Sequence, residues 1–252
     1  MLEEGDEMPS AVVLETGLTA STGSSPDALG ALKTWVSNLV DGPFPLEVSA
    51  PLFWATAPEA VARIQEFRET QYRERLGYLL GPEQLRLESQ LQLDARSAHF
   101  AVSRNGRMVG ALRMTPAPFE FPALAESLSH WEGRFPASVE LSRLVVSPEE
   151  RSALVPPRLL VAASDWAMKA GFVGIVGLCR RAARTVFERY GLTATSETAH
   201  VVPMRGPQPY SLMAGTWPEL IAATTRMSER LNRPRKNSLA ETPSRHHPME
   251  QT

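Results

Sequence analysis

The chain has 252 residues, of which 43% are hydrophobic and 21% charged, with a formal net charge of −2 and a pI of about 6.2. That is material for a full core, and it supplies no overall basic field to recruit nucleic acid. No run of about 18 apolar residues occurs, so no membrane span is expected, and an acidic start with the lone Cys179 predicts a cytoplasmic protein without an internal disulfide.

Residues 1–24 are rich in Gly, Ser, Thr and Glu without a sustained period, which predicts a disordered leader. Leu29, Leu32, Val36, Leu39 and Val40 then recur at helical spacing until Asp41-Gly42-Pro43. They predict an extra amphipathic helix over about 26–40 that docks on the main domain or on a partner. Pro51 to Ala55 reads as a first strand. Pro58 suits a first helical turn, and the helix runs on to about Glu74; a second helix is expected from Pro82 to Leu93. Asn105-Gly106 between the strand-like runs 98–104 and 107–114 predicts a hairpin with a type I′ turn.

A Pro-rich connector, Thr115 to Pro122, leads to a short helix ending near Trp131 and then to a strand around Glu140. A helix follows from Val155 to Gly171. The apolar run Val173 to Cys179 predicts a strand covered on both faces. A helix over 180–190, strands over 200–204 and 208–213, and a helix from Pro218 to about Leu231 complete the order. The polar stretch 232–252 reads as a disordered tail. One domain over 25–231 is therefore expected, an α/β mixed sheet with helices on both faces.

Val139-Glu140-Leu141-Ser142-Arg143-Leu144 is the stretch that points to chemistry. A buried strand seldom carries an acid, a hydroxyl and a guanidinium within four residues unless they have partners or a task. Strict alternation would put Glu140 and Ser142 on one face and Leu141 and Arg143 on the other; an edge strand with one solvated face is the alternative. No zinc spacing surrounds Cys179, His246-His247 lies in the polar tail, phosphate-binding glycine loops are absent, and Ser142 lacks a nucleophile-elbow setting. No metal is implied.

The spaced set Arg68, Tyr72, Gly77-Tyr78, Asp94, Gly110-Ala111-Leu112-Arg113-Met114-Thr115-Pro116 and Glu140-Leu141-Ser142-Arg143 resembles the acyl-homoserine-lactone synthases and related N-acyl amino acid synthases. These are specialised members of the GCN5-related N-acyltransferase superfamily. The resemblance covers about residues 52–215. It departs from the family pattern in Tyr72 for Phe, Tyr78 for Trp, and an acidic cluster reduced to Asp94, with Glu88 as the candidate stand-in. It implies a mostly antiparallel mixed sheet with a splayed, V-shaped strand pair that takes an acyl chain. It also implies acyl transfer from a thioester to an amine, with Glu140 as base, Ser142 orienting, and Arg143 shaping the site.

Under that resemblance Arg68, Tyr72, Tyr78, Asp94 and Arg113 fall to substrate binding, and a structural pairing of Glu140 with Arg68 or Arg113 is the competing account. Pro148 to Ser152 lacks a Gly-rich pyrophosphate loop, which favours a donor held by its acyl chain and pantetheine arm. Arg180, Arg181 and Arg184 would then offer a basic patch to an acyl carrier protein or the pantetheine phosphate, the alternative being a solvated helix face. No permanently bound cofactor is expected; acyl-acyl carrier protein or acyl-CoA is the co-substrate, and a small-molecule amine the acceptor. A CoA-dependent acetyltransferase and a non-catalytic binding protein of the same fold are the rival functions.

Overall fold

The computed structural model describes residues 45–74, 87–131, 133–150 and 154–231. The expected leader, the 26–40 helix, most of the loop carrying Gly77-Tyr78, the start of the Pro82 helix and the 232–252 tail lie outside the described residues. Among the described residues eight strands form one sheet: β1 (Leu46–Val48), β2 (Ala98–Arg104), β3 (Arg107–Pro116), β4 (Ser138–Val146), β5 (Gly174–Arg180), β6 (Thr193–Ala194), β7 (His200–Val201) and β8 (Pro209–Thr216). Their order is β1-β2-β3-β4-β5-β8-β6, with β7 also on β8. All pairs are antiparallel except β4 with β5.

Six helices accompany the described strands: α1 (Pro58–Glu74), α2 (Glu88–Ala95), α3 (Glu126–Ser129), α4 (Val155–Lys169), α5 (Arg184–Arg189) and α6 (Trp217–Leu231). The alternation of strand side chains decides which helix covers which face. Phe100, Leu112 and Met114 face α4 through Leu159, Leu160 and Ala163, in a core that also takes Trp217 and Leu220 of α6. Ala101 and Ala111, one residue out of phase, face Ile64 and Phe67 of α1. Beyond the parallel junction, Val176 and Leu212 pack instead on Phe121 of the connector and Leu128 of α3.

The β2–β3 hairpin turns at Asn105 and Gly106, both with positive φ (50° and 71°), the backbone a type I′ turn demands. Several boundaries differ from the sequence reading. The first strand is Leu46–Val48, and the Pro51 to Ala55 run contributes only a single bridge from Leu52 to His99. Its β-branched content is nil and Pro51 supplies no donor, so a ladder does not extend through it. The segment after β5 is a 3₁₀ turn (Arg181–Ala183) and the short α5, and the 200–204 strand stops at Val201 because Pro203 opens another 3₁₀ turn. β6 pairs with Ala214 and Met213 through two residues only, too few for a periodic signal. No described helix is long and apolar enough to cross a membrane.

Candidate active site

Strand β4 does not keep strict alternation. Ser142 lies opposite Arg113 but Val145 lies opposite Ala111, so two β4 residues, Arg143 and Leu144, span the space of Leu112 alone. Arg143 is the bulged residue, with φ +54°. A non-glycine side chain in that region costs about 1–3 kcal/mol and persists where its surroundings over-determine it. Here the restraint is visible: Arg143 Nη2 donates to Gln90 Oε1 at 2.6 Å and to Glu120 Oε1 at 2.9 Å. The bulge therefore corrects the expectation that Arg143 would leave the face of Glu140 and Ser142; all three meet one polar cluster.

Two carboxylates organise that cluster. Asp94 accepts from Arg68 Nη2 at 2.5 Å, Arg113 Nη1 at 3.0 Å and Gln65 Nε2 at 2.8 Å. Glu120 accepts from Arg113 Nη2 at 2.5 Å, Arg143 Nη2 at 2.9 Å, Gln90 Nε2 at 2.9 Å and Arg205 Nη2 at 3.1 Å. Arg113 Nε donates to Ser142 Oγ at 2.9 Å, which gives that hydroxyl an orienting partner. Burial pushes both carboxyls up, but Arg68 and Arg113 at Asp94, and Arg143, Arg113 and Arg205 at Glu120, outweigh it and hold both below the ordinary range.

Glu140 has the opposite environment. It is 2% exposed and makes no ion pair among the described residues; its Oε2 accepts from the backbone N–H of Glu120. Burial, then the negative charge of Glu120, push its carboxyl up to about 7, and the Glu120 N–H and the more distant Arg113 and Arg143 offset this only in part. The competing expectation of a structural pair with Arg68 or Arg113 does not hold, because those guanidiniums are held by Asp94 and Glu120. Neighbouring carboxyls driven in opposite directions are the usual signature of divided acid–base roles.

Beside Glu140 the sheet opens. The β4–β5 ladder pairs Ser138, Val139 and Glu140 with Gly174, Ile175 and Val176, and ends there. Gly177 sits at the apex, where a Cβ would come within 2.8 Å of the Leu141 carbonyl oxygen. Past this point the strands part around a cavity of about 310 Å³. Glu120, Glu140, Arg143 and Arg205 line its polar part, while Leu141, Leu144, Leu178, Cys179 and Phe187 supply apolar wall. Burial, with Glu188 adding to it, pushes the Cys179 thiol up to about 12, which leaves it protonated and unreactive near neutral pH.

The structure thus brings Arg68, Asp94, Arg113, Glu140, Ser142 and Arg143 together, with Tyr72 on the cavity wall. Tyr78 lies outside the described residues. The basic run is divided: Arg180 lines the cavity and Arg181 is exposed, but Arg184 is engaged by Glu188 at 2.7 Å and by Glu197 at 2.9 and 3.0 Å. Glu88 is exposed and meets Gln92, so it is not the second acid of the cluster. That acid is Glu120, which the sequence reading passed over inside a Pro-rich connector. An acid between Phe119 and Phe121 was the available signal. Gln90 and Arg205 carried none. Among the described residues no group of three or more His, Cys, Asp or Glu side chains is placed to hold a metal ion.

The mixed sheet, with one parallel pair that splays beside a buried carboxylate, is similar in fold to solved acyl-homoserine-lactone and N-acyl amino acid synthases. A CoA-dependent acyl-homoserine lactone synthase, MesI, is 18% identical with a TM-score of 0.54, over 73% of this chain and 95% of its own. FeeM, an N-acyl amino acid synthase from uncultured soil microbes, is 15% identical with a TM-score of 0.53, over 74% and 98%. The acyl-homoserine-lactone synthase LasI is 13% identical with a TM-score of 0.56, over 72% and 95%. No family model matches the chain, and no curated protein matches it in sequence. At these identities the likeness is one of fold.

Proposed function

We propose that the protein is an N-acyltransferase that moves a fatty acyl group from an acyl carrier protein or CoA thioester to the amine of an amino acid or related metabolite. The product is an N-acyl amino acid or an acyl-homoserine-lactone-like signal. The observation that carries this reading is Glu140: a buried carboxyl with a pKa raised to about 7, on the wall of a partly apolar cavity opened by parting strands.

The chemistry follows from that placement. The acceptor nitrogen attacks the thioester carbonyl, the C–N bond forms as the C–S bond breaks, and Glu140 takes the amine proton, directly or through water, and returns it to the departing thiolate. A base with a pKa near the working pH suits both transfers. Negative charge on the carbonyl oxygen requires N–H donors, and the β4 amides beyond Arg143, where the ladder to β5 has ended, are our candidates. Arg113 steadies Ser142, and the Asp94 and Glu120 clusters hold α1, α2 and the connector around the site. The apolar wall from Leu141 to Phe187 would receive the acyl chain.

Lipid extracts of cells overproducing the protein, analysed by mass spectrometry with Glu140→Gln as control, test the reading. Long-chain acyl amides that disappear in the variant are expected. Short acetyl products alone would favour a CoA-dependent acetyltransferase, and identical extracts would favour a non-catalytic binding protein. Purified protein supplied with acyl-acyl carrier protein or with acyl-CoA resolves the donor. If Arg180, Arg181 and Arg184 serve the carrier protein, Arg181→Glu slows turnover with that donor and leaves the acyl-CoA rate unchanged.

A further inference from the structure

An amine acceptor near neutral pH arrives as its ammonium ion and must lose two protons to become an amide. One of them, taken by Glu140 as the C–N bond forms, passes to the sulfur of the leaving thiolate. The other has no acceptor among the reactants, because thioester and ammonium give amide, thiol and one free proton. That proton has to leave before attack, since the ammonium nitrogen has no lone pair. Glu140 is only 2% exposed and serves the second transfer, so the first proton needs its own way to water.

A row of side chains across three strands leads from the cavity to the surface. Tyr210 on β8 stands opposite Arg180 of β5 on one side and His200 of β7 on the other. Residues opposite one another in antiparallel pairs project from the same face, with Cβ atoms about 4.5–5.5 Å apart. Here that is the face covered by Phe121 and Leu128. Tyr210 lines the cavity together with Glu140, yet it is 3% exposed and its hydroxyl has no hydrogen-bond partner among the described residues. A phenol sealed in this way costs stability and is retained where it has a task. His200, also 3% exposed, is reached from the cavity only through Tyr210. Its Nε2 is buried without a partner, whereas its Nδ1 lies 3.1 Å from Oγ of Ser127, an exposed residue of α3. The ring thus has one nitrogen in the interior and one joined to the surface. Burial, with the charge of His130 adding to it, lowers the His200 pKa, so near pH 7 the imidazole is neutral and one nitrogen accepts. Tyr210 and His130 are the titratable groups that face it, and Arg205, over the Tyr210 ring and paired with Glu120, adds the charges on that side.

We propose that Tyr210 and His200 form a proton relay, which carries the first ammonium proton from the cavity to Ser127 and solvent. The inference rests on the acyl-transfer reading above and adds two residues to its mechanism. Tyr210 Oη accepts the ammonium proton as it gives up its own, so no tyrosinate forms. Oη and Nε2 are not bonded directly, and one water molecule spans them to deliver that proton to His200 Nε2. The imidazolium then releases its Nδ1 proton to Ser127 Oγ and water, and tautomer exchange with water restores the starting ring. The amine left in the cavity is neutral, and Glu140 is still ionised for the second proton.

Single-turnover acyl transfer by the full chain, followed from pH 6.5 to 9.5, tests the relay. Dodecanoyl-CoA or dodecanoyl-acyl carrier protein is the donor, and a mixture of free amino acids the acceptor. Tyr210→Phe keeps the ring beneath Arg205 and removes only a hydroxyl without a partner, so the fold is kept; His200→Gln removes the titrating ring. Each variant is slower than the parent by about tenfold or more at pH 7. The deficit narrows to within about threefold near pH 9.5, where more of the acceptor arrives without its extra proton. A deficit of one size at every pH marks a structural role and overturns the inference, as does a parent-like rate at pH 7 in either variant. A parent that forms no acyl amide with either donor sinks the acyl-transfer reading and the relay with it. A parent that does so, while the variants show no pH-dependent deficit, sinks the relay alone.

Discussion

Replacing Glu140 by Gln keeps the shape of the side chain and an oxygen for the Glu120 N–H, but removes the ionisable proton. Its effect on stability has a definite sign. The folded carboxyl titrates at about 7 against an ordinary 4.5, so between those values the folded chain keeps a proton that the unfolded chain has lost. Ionising Glu140 therefore weakens the fold as pH rises through this window, and the penalty stays constant above it. The gap is worth on the order of 3 kcal/mol at about 1.4 kcal/mol per pH unit. Glu140→Gln escapes that penalty. At pH 8 it is expected to be more stable than the parent by up to about 3 kcal/mol, or roughly 6–12 °C in Tm, and to match it near pH 4.5. Turnover moves the other way: the parent's kcat/KM rises with pH through about 7, and the variant loses that inflection and about 10²–10⁴ in rate. Calorimetric scans from pH 4.5 to 8, beside acyl-transfer rates, read both. Equal stability across the range would refute the raised pKa, and an undiminished rate would refute the base.

The acid cluster has the reverse linkage, because Asp94 and Glu120 are held low in the folded state: their stabilisation is full above the ordinary carboxylate pKa and is lost as pH falls below about 4. Asp94→Asn, which strands Arg68 in the interior and leaves Arg113 with Glu120 alone, should cost about 3–5 kcal/mol in urea unfolding at pH 7 and flatten the acid limb. Gly177→Ala puts a methyl against the Leu141 carbonyl at the apex of the splayed strands and should cost about 1–3 kcal/mol, measured the same way. Cys179→Trp fills the apolar wall of the cavity, so the rate with a dodecanoyl donor should fall far more than the rate with an acetyl donor. Equal losses for the two donors would mean that the acyl chain lies elsewhere.

Much of this protein is local. The Asn105-Gly106 turn, the Pro58 helix start and the apolar β5 run each follow from a few neighbouring residues, because turn backbone, helix capping and strand burial are short-range properties. Glu140, Ser142 and Arg143 stood out within their own strand, whereas Arg68, Asp94 and Arg113 were singled out only by the resemblance of the spaced set to a known family. What local pattern does not carry is which charges meet. Alternation along β4 points Arg143 away from Glu140, and only the longer path of β4 against Leu112 turns it back. Glu120 and Arg205 come to the cluster from a connector and a 3₁₀ turn 85 residues apart, and neither segment has a period to read. The sequence alone therefore determined the hairpin, the longer helices and the β4 and β5 strands, and pointed to Glu140, Ser142 and Arg143. Tertiary packing alone decided that Glu120 takes the arginines and leaves Glu140 without an ion pair among the described residues, since burial and distance between charges exist only once the chain has folded.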